Sequence, residues 1–65
     1  MRLALAITLG KRGDKSAGAY LLNRLESAEE HNRRSQGLLL KQVYKKDFGT
    51  DAQQWRAWLQ ANGKL

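Results

Sequence analysis

The 65-residue sequence contains no cysteine, no proline and only one histidine, His31. Without cysteine there is no disulfide framework, and a single imidazole cannot supply a zinc-like cluster of ligands. Proline is the strongest helix breaker, and its absence leaves Ala, Leu, Lys, Arg, Gln and Glu, which favour helices, to dominate the chain. These absences predict an all-α protein without a metal or other cofactor, and they favour a reducing, cytoplasmic location.

Acidic residues are also scarce, because six Asp and Glu stand against twelve Lys and Arg, which gives a net charge of +6. This excess raises the question of an acidic partner. The longest apolar run, residues 3–10, is too short to span a bilayer. Charged residues at 11–15 separate this run from the A-x-A sequence at 17–19, which argues against a secretory signal. We therefore expect no membrane partner.

Apolar spacing predicts two helices in the first half of the chain. Leucine and isoleucine alternate mostly with alanine over residues 2–11, and because alanine favours helices over strands, we interpret this segment as a buried helix. A second helix from 15 to 26 places apolar residues at i, i+3, i+4 and i+7. Ser27 and Glu30 form a capping-box pattern that predicts a new helix start. One continuous helix over 15–46 remains the alternative, since no Gly or Pro interrupts residues 20–35.

Two further helices are predicted in the second half. The third carries Gln36, Leu40, Val43 and Tyr44 on one face. Gly49 ends this helical region, Thr50 or Asp51 can cap the fourth helix, and Gly63 closes it. The seven residues expected to form the core are Leu21, Leu25, Leu40, Val43, Trp55, Trp58 and Leu59. This organisation predicts a single domain, 1–65, made of two tandem antiparallel helical hairpins, 1–27 and 28–65.

The two halves of the sequence can be aligned as an internal repeat. Residues 2–9 match residues 33–40 in their basic and leucine positions, and Asp14 then matches Asp51. A helical hairpin repeated in tandem is typical of an α-solenoid. The alternative is a small helical bundle.

The repeat motifs resemble a known family. RLALAITLGKRGDKSAGAYLLNRL is similar to the short HEAT-like repeats of the bilin-lyase type, and LLLKQVYKKDFGTDAQQWRAWL resembles the closing repeat of such arrays, in which D-F-G-x-D precedes W-x-x-W. Gly18 stands where these repeats usually carry a bulkier residue. The resemblance implies a non-enzymatic α-solenoid scaffold that binds other proteins.

Three short motifs suggest other chemistry. GKRGDKS, residues 10–16, is close to a phosphate-binding loop, but Asp14 occupies the place of an essential glycine. The same stretch contains RGD, although nothing else indicates a secreted adhesion ligand. Asp47-Phe48-Gly49 matches the kinase metal-binding tripeptide, but the other kinase signatures are missing. We interpret the first motif as a helix–helix turn and predict no catalytic, cofactor-binding or metal-binding residues.

Two surfaces remain as candidates for function. The first helix is apolar nearly all round, so Leu3, Leu5 and Ile7 are expected to form a self-association face in a homodimer. A basic face of Arg34, Lys41, Lys45 and Lys46 could instead follow a nucleic-acid backbone, and the turn cations Lys11, Arg12 and Lys15 could extend it. The simpler interpretation of this face is a solvated helix surface that keeps the protein soluble. Protein–protein interaction is the preferred function, and nucleic-acid binding is the alternative.

Overall fold

The computed structural model describes residues 2–65, so Met1, which belongs to the predicted domain, lies outside the described residues. Within this range the protein has four helices and no strand. The helices are Leu3–Lys11 (α1), Lys15–Ser27 (α2), Glu30–Tyr44 (α3) and Ala52–Ala61 (α4). The predicted fold class, an all-α chain of four helices that suits a small helical bundle, is confirmed.

The GKRGDKS stretch is the turn between α1 and α2, as predicted. Gly13 adopts a left-handed φ of 82°, a conformation that favours glycine at the end of a helix. The amide of Asp14 donates to the Leu9 carbonyl at 3.0 Å. The Asp14 carboxylate in turn accepts from the amide of Ala17 at 2.9 Å and so caps α2. This turn reverses the chain and makes α1 and α2 an antiparallel hairpin.

The predicted capping box at Ser27 is wrong, although the chain break that it predicted is present. Helix α2 continues through Ser27, whose hydroxyl contacts Asn23 one turn earlier at 3.4 Å. A capping residue must have extended backbone, and that position is taken by Glu29, whose side chain makes no capping hydrogen bond. Residues 15–46 therefore form two helices rather than one.

The connection from α3 to α4 returns along α3 instead of making a tight turn. Helix α3 ends at Tyr44, five residues before the predicted stop at Gly49, because Lys45 adopts a left-handed φ of 57°. The carbonyl of Gly49 then lies against Gly37 in the middle of α3, where a β-carbon would overlap it. The same carbonyl accepts from the indole nitrogen of Trp55 at 3.0 Å. The loop is thereby held against the body of the protein.

Helix α2 is the central element and packs against each of the other three helices. Helix α4 is antiparallel to α2, because Arg56 pairs with Glu26 near the end of α2 and the tail after α4 reaches Gly18 near its start. Within residues 2–65 the backbones of α3 and α4 do not approach closely. Aromatic side chains fill the space between them, and α4 therefore pairs with α2 rather than folding tightly back on α3. These side chains are Tyr44, Phe48, Trp55 and Trp58.

The core lies around α2 and is contributed mainly by α2, α3 and α4. Trp58 is partly buried, while the other six residues expected in the core are buried. The predicted helix at residues 2–11 is confirmed from Leu3, but its burial is not. Only Ala6 and Gly10 of α1 are buried, and Leu5 is 52% exposed. Small residues let the backbone of α1 approach its neighbours and leave its larger side chains at the flanks.

Candidate interaction surfaces

The short motifs considered for catalysis have structural roles. Asp47 accepts a hydrogen bond from the amide of Gly49 at 3.1 Å, and Phe48 packs edge-on against Trp55 with ring centres 4.9 Å apart. His31 is exposed, with Nδ1 3.6 Å from the Glu29 carboxylate. Among residues 2–65 no three His, Cys, Asp or Glu side chains are grouped so that they could hold a metal. Asp47 and Phe48 thus help to hold the connection between α3 and α4.

The predicted self-association residues lie on two sides of α1. Leu3 and Ile7 are one helical turn apart and share a flank. Leu5 is about 200° from Ile7, at roughly 100° per residue, and lies on the other flank. Leu5 is mostly exposed, whereas Leu3 and Ile7 are partly buried. The structure therefore does not join the three residues into one stripe, and α1 instead presents apolar side chains on both sides of its buried line.

The predicted basic face is divided along α3. Lys41, Lys45 and Lys46 lie at its C-terminal end, where they line a shallow depression together with Leu38, Gln42 and Asp47. Arg34 points to the same side of the helix, but it lies about 16 Å from Lys45 along the axis, at 1.5 Å per residue. There it is one turn from Glu30. Three of the four predicted residues thus form a local group, and Arg34 lies apart.

Two further lysines belong to the same region: Lys11, which was predicted as one of the turn cations, and Lys64, which was not predicted. Lys11, at the end of α1, and Lys64, in the C-terminal tail, line a second depression that shares Lys45 and Gln42 with the first. We call this region the basic end and define it by seven cations from the ends of three helices and the tail. They are Lys11, Arg12, Lys15, Lys41, Lys45, Lys46 and Lys64.

The basic end contains all six lysines of the protein but only one of its six arginines. Asp14 and Asp47 are the acidic residues on the same segments. The seven positive charges and these two negative charges sum to +5, so the basic end carries most of the protein's net charge of +6. A sequence signal for this grouping does exist, because every lysine lies beside a helix end.

The opposite end holds Glu26, Glu29 and Glu30, and arginines near it make defined contacts. Arg56 pairs with Glu26 at 2.6 Å, and Arg33 donates from Nε to the carbonyl of Ala28 at 3.2 Å. The protein is therefore electrically polar from one end to the other. Arg24, Arg33 and Arg56 join structural elements, while the lysines gather at the other end.

The tail reaches the basic end over an aromatic surface. The ammonium of Lys64 lies 5.5 Å from the ring centre of Tyr44 and 5.1 Å from that of Trp58, within cation–π range. The Tyr44 hydroxyl beneath is buried and has no hydrogen-bond partner among the described residues. Burial raises the pKa of Tyr44 above its usual value, and the negative charge of Asp14 raises it further. The ammonium of Lys64, one of the cations of the basic end, thus lies on packed aromatic rings.

No helix within residues 2–65 has the length and apolar character needed to cross a membrane. Comparisons of the chain with protein-family models, with curated proteins and with solved structures found no match.

Proposed function

We propose that the protein is a non-enzymatic helical module for protein–protein assembly and that α1 is its contact element. The observation that carries this proposal is the incomplete cover of α1. Only Ala6 and Gly10 are buried in this nine-residue helix, while Leu5 is 52% exposed and Leu3 and Ile7 are partly exposed. A helix that is apolar on both flanks is suited to contact with more than one neighbouring surface.

The proposed partner in a solution of the protein alone is a second copy. A two-fold interface uses the same residues twice, so the side chains of Leu3, Leu5 and Ile7 from both copies would become buried together. Complete burial of one leucine or isoleucine contributes about 1.5–3 kcal/mol relative to exposure, and these side chains already have part of that contribution. The resemblance to stacked repeats supports the proposal, because such repeats bury their apolar faces against neighbours.

Sedimentation equilibrium over about 10–500 µM protein tests this assembly, since dimerisation depends on concentration. The expected result is a rise from 7.4 kDa toward twice that mass. Leu5→Ser should weaken association at least tenfold. Leu38→Ser is the matched control, because Leu38 is also 52% exposed but lies on α3 beside the basic end.

Two results would count against the proposal. A stably folded monomer at every concentration would show that α1 needs no second copy. Equal loss of association in Leu5→Ser and Leu38→Ser would show that α1 is not the specific contact. Circular dichroism should be recorded for each variant so that loss of folding is not mistaken for loss of assembly.

A further inference from the structure

We propose that the basic end binds the phosphate backbone of double-stranded nucleic acid without regard to sequence. Lys41, Lys45 and Lys46 would contact phosphates together with Lys11 and Lys64. This surface is separate from the α1 flanks and takes a different class of partner, so the proposal does not depend on self-association. It differs from the basic face expected from the sequence, because Arg34 is set aside and Lys64 of the tail is included.

The first support is the separation of charge. The basic end holds seven of the twelve cations, whereas Glu26, Glu29 and Glu30 lie at the opposite end. A concentrated positive surface attracts a polyanion and orients it during approach, while the acidic end repels it. The net charge of +6 by itself would not define such an orientation.

The second support is that helix stability does not account for all of these cations. Lys11 and Lys45 lie where helices end, and a positive charge there is favourable to the helix dipole. Lys15, however, is the first residue of α2, where the same dipole disfavours a cation. The pair of Lys41 with Asp47 at 3.5 Å is exposed and therefore contributes little to folding.

The arrangement suits an extended chain of phosphates better than one small anion. Five of the six lysines line two adjoining depressions that share Lys45, so their charges are spread over a surface rather than directed at one point. A duplex presents one negative charge for about every 1.7 Å of its axis, so several phosphates can contact separate lysines at the same time. The Lys64 ammonium lies over the Tyr44 and Trp58 rings, which places its charge on this surface.

Duplex is favoured over single-stranded nucleic acid because no aromatic ring within residues 2–65 is mostly exposed. Binding to single strands usually relies on bases that stack on aromatic side chains. Among the described residues the large apolar side chains that are mostly exposed are those of Leu5 and Leu38. Tyr44 and Trp55 are buried in the core. Tyr20, Phe48 and Trp58 are only partly exposed. The Lys64 ammonium lies over the Trp58 ring, so the surface offers mainly charge to the backbone.

Fluorescence anisotropy with a labelled duplex of about 20 base pairs tests the proposal. We expect dissociation constants of about 1–100 µM near 50 mM salt and a steep loss of affinity as salt rises. Lys45→Gln/Lys46→Gln should weaken binding about tenfold and reduce the slope of log affinity against log salt by about two. Arg33→Gln/Arg34→Gln is the matched control, because it removes two adjacent charges near the other end of α3 and should leave the slope nearly unchanged.

Several outcomes would overturn the proposal. These are no duplex binding near 50 mM salt, equal losses in the two double variants, or tighter binding to a single strand than to the duplex. Binding to phosphatidylserine vesicles without binding to duplex would assign the basic end to a membrane surface instead. Leu5→Ser should retain duplex affinity, and this result separates the proposal from the one about assembly.

Discussion

The carbonyl oxygen of Lys64 lies so close to Gly18 that it would overlap a β-carbon on that residue. The tail reaches this position because Gly63 has a left-handed φ of 68° and the amide of Lys64 donates to the Leu59 carbonyl at 2.8 Å. Glycine at position 18 therefore has a physical reason. It lets the tail pack on α2.

Gly18→Ala should destabilise the protein by about 1–3 kcal/mol, because the added methyl group forces the tail backbone to move. Urea unfolding followed by circular dichroism measures this loss. The control is a chain that ends at Gly63, in which Gly18→Ala should be neutral or stabilising by up to about 1 kcal/mol through helix propensity. An equal loss in both chains would show that the contact with Lys64 is not responsible.

Trp55→Ala should destabilise the protein more than Trp58→Ala does. Trp55 is fully buried and its indole donates to Gly49, so its truncation should cost about 3–5 kcal/mol. Trp58 is only partly buried and has less to lose. Urea melts monitored at 222 nm compare the two variants, and a larger loss in Trp58→Ala would contradict this ranking.

Asp14 and Ser27 were both predicted to cap the start of a helix, and alanine substitutions should distinguish them. Asp14 accepts from the amide of Ala17, so Asp14→Ala should cost about 1 kcal/mol. Ser27 lies inside α2 and caps nothing, so Ser27→Ala should change stability by less than about 0.5 kcal/mol. Thermal melts of the two variants provide the measurement. A loss of about 1 kcal/mol in Ser27→Ala would contradict the structure and indicate that Ser27 caps α3.

Local patterns were sufficient to predict the four helices and the first turn. The spacing of Leu21, Leu22 and Leu25 and the order of Gly13 before Asp14 depend on residues within one or two turns. At Ser27 two local signals competed, and continuation of α2 by one more residue moved the cap to Glu29. A serine can either cap the start of a helix or be the last residue of the preceding one. The sequence alone therefore did not show which of these roles Ser27 has.

The surfaces could be predicted less well because they depend on contacts between distant residues. Lys11, Lys45 and Lys64 become neighbours only when α1, α3 and the tail end at the same side of the bundle. The division of Leu5 from Ile7 similarly follows from which line of α1 is buried. Composition predicted that charge was in excess, and tertiary structure determined where it gathers.

Tyr44→Phe should leave stability unchanged or raise it. The hydroxyl of Tyr44 is buried without a hydrogen-bond partner among the described residues, so its removal relieves a desolvation cost and loses no bond. Urea unfolding near neutral pH measures the change. Tyr20→Phe is the control for loss of a tyrosine hydroxyl from a partly exposed position. A clear destabilisation of Tyr44→Phe alone would show that the hydroxyl has a bound partner, such as an ordered water.

The same residue predicts how stability changes at alkaline pH. Burial and the charge of Asp14 raise the pKa of Tyr44 in the folded protein above its ordinary value of 10.0. The unfolded chain therefore releases this proton first as pH rises. Because the folded state then binds more protons than the unfolded state, the free energy of unfolding must decrease above about pH 10. The stabilising contribution is complete below that pH and is lost as pH rises through the folded pKa. Thermal melts from about pH 8 to 11 should show a smaller decline in Tyr44→Phe than in the unmodified protein or Tyr20→Phe, whereas equal declines in all three would exclude Tyr44 as the source.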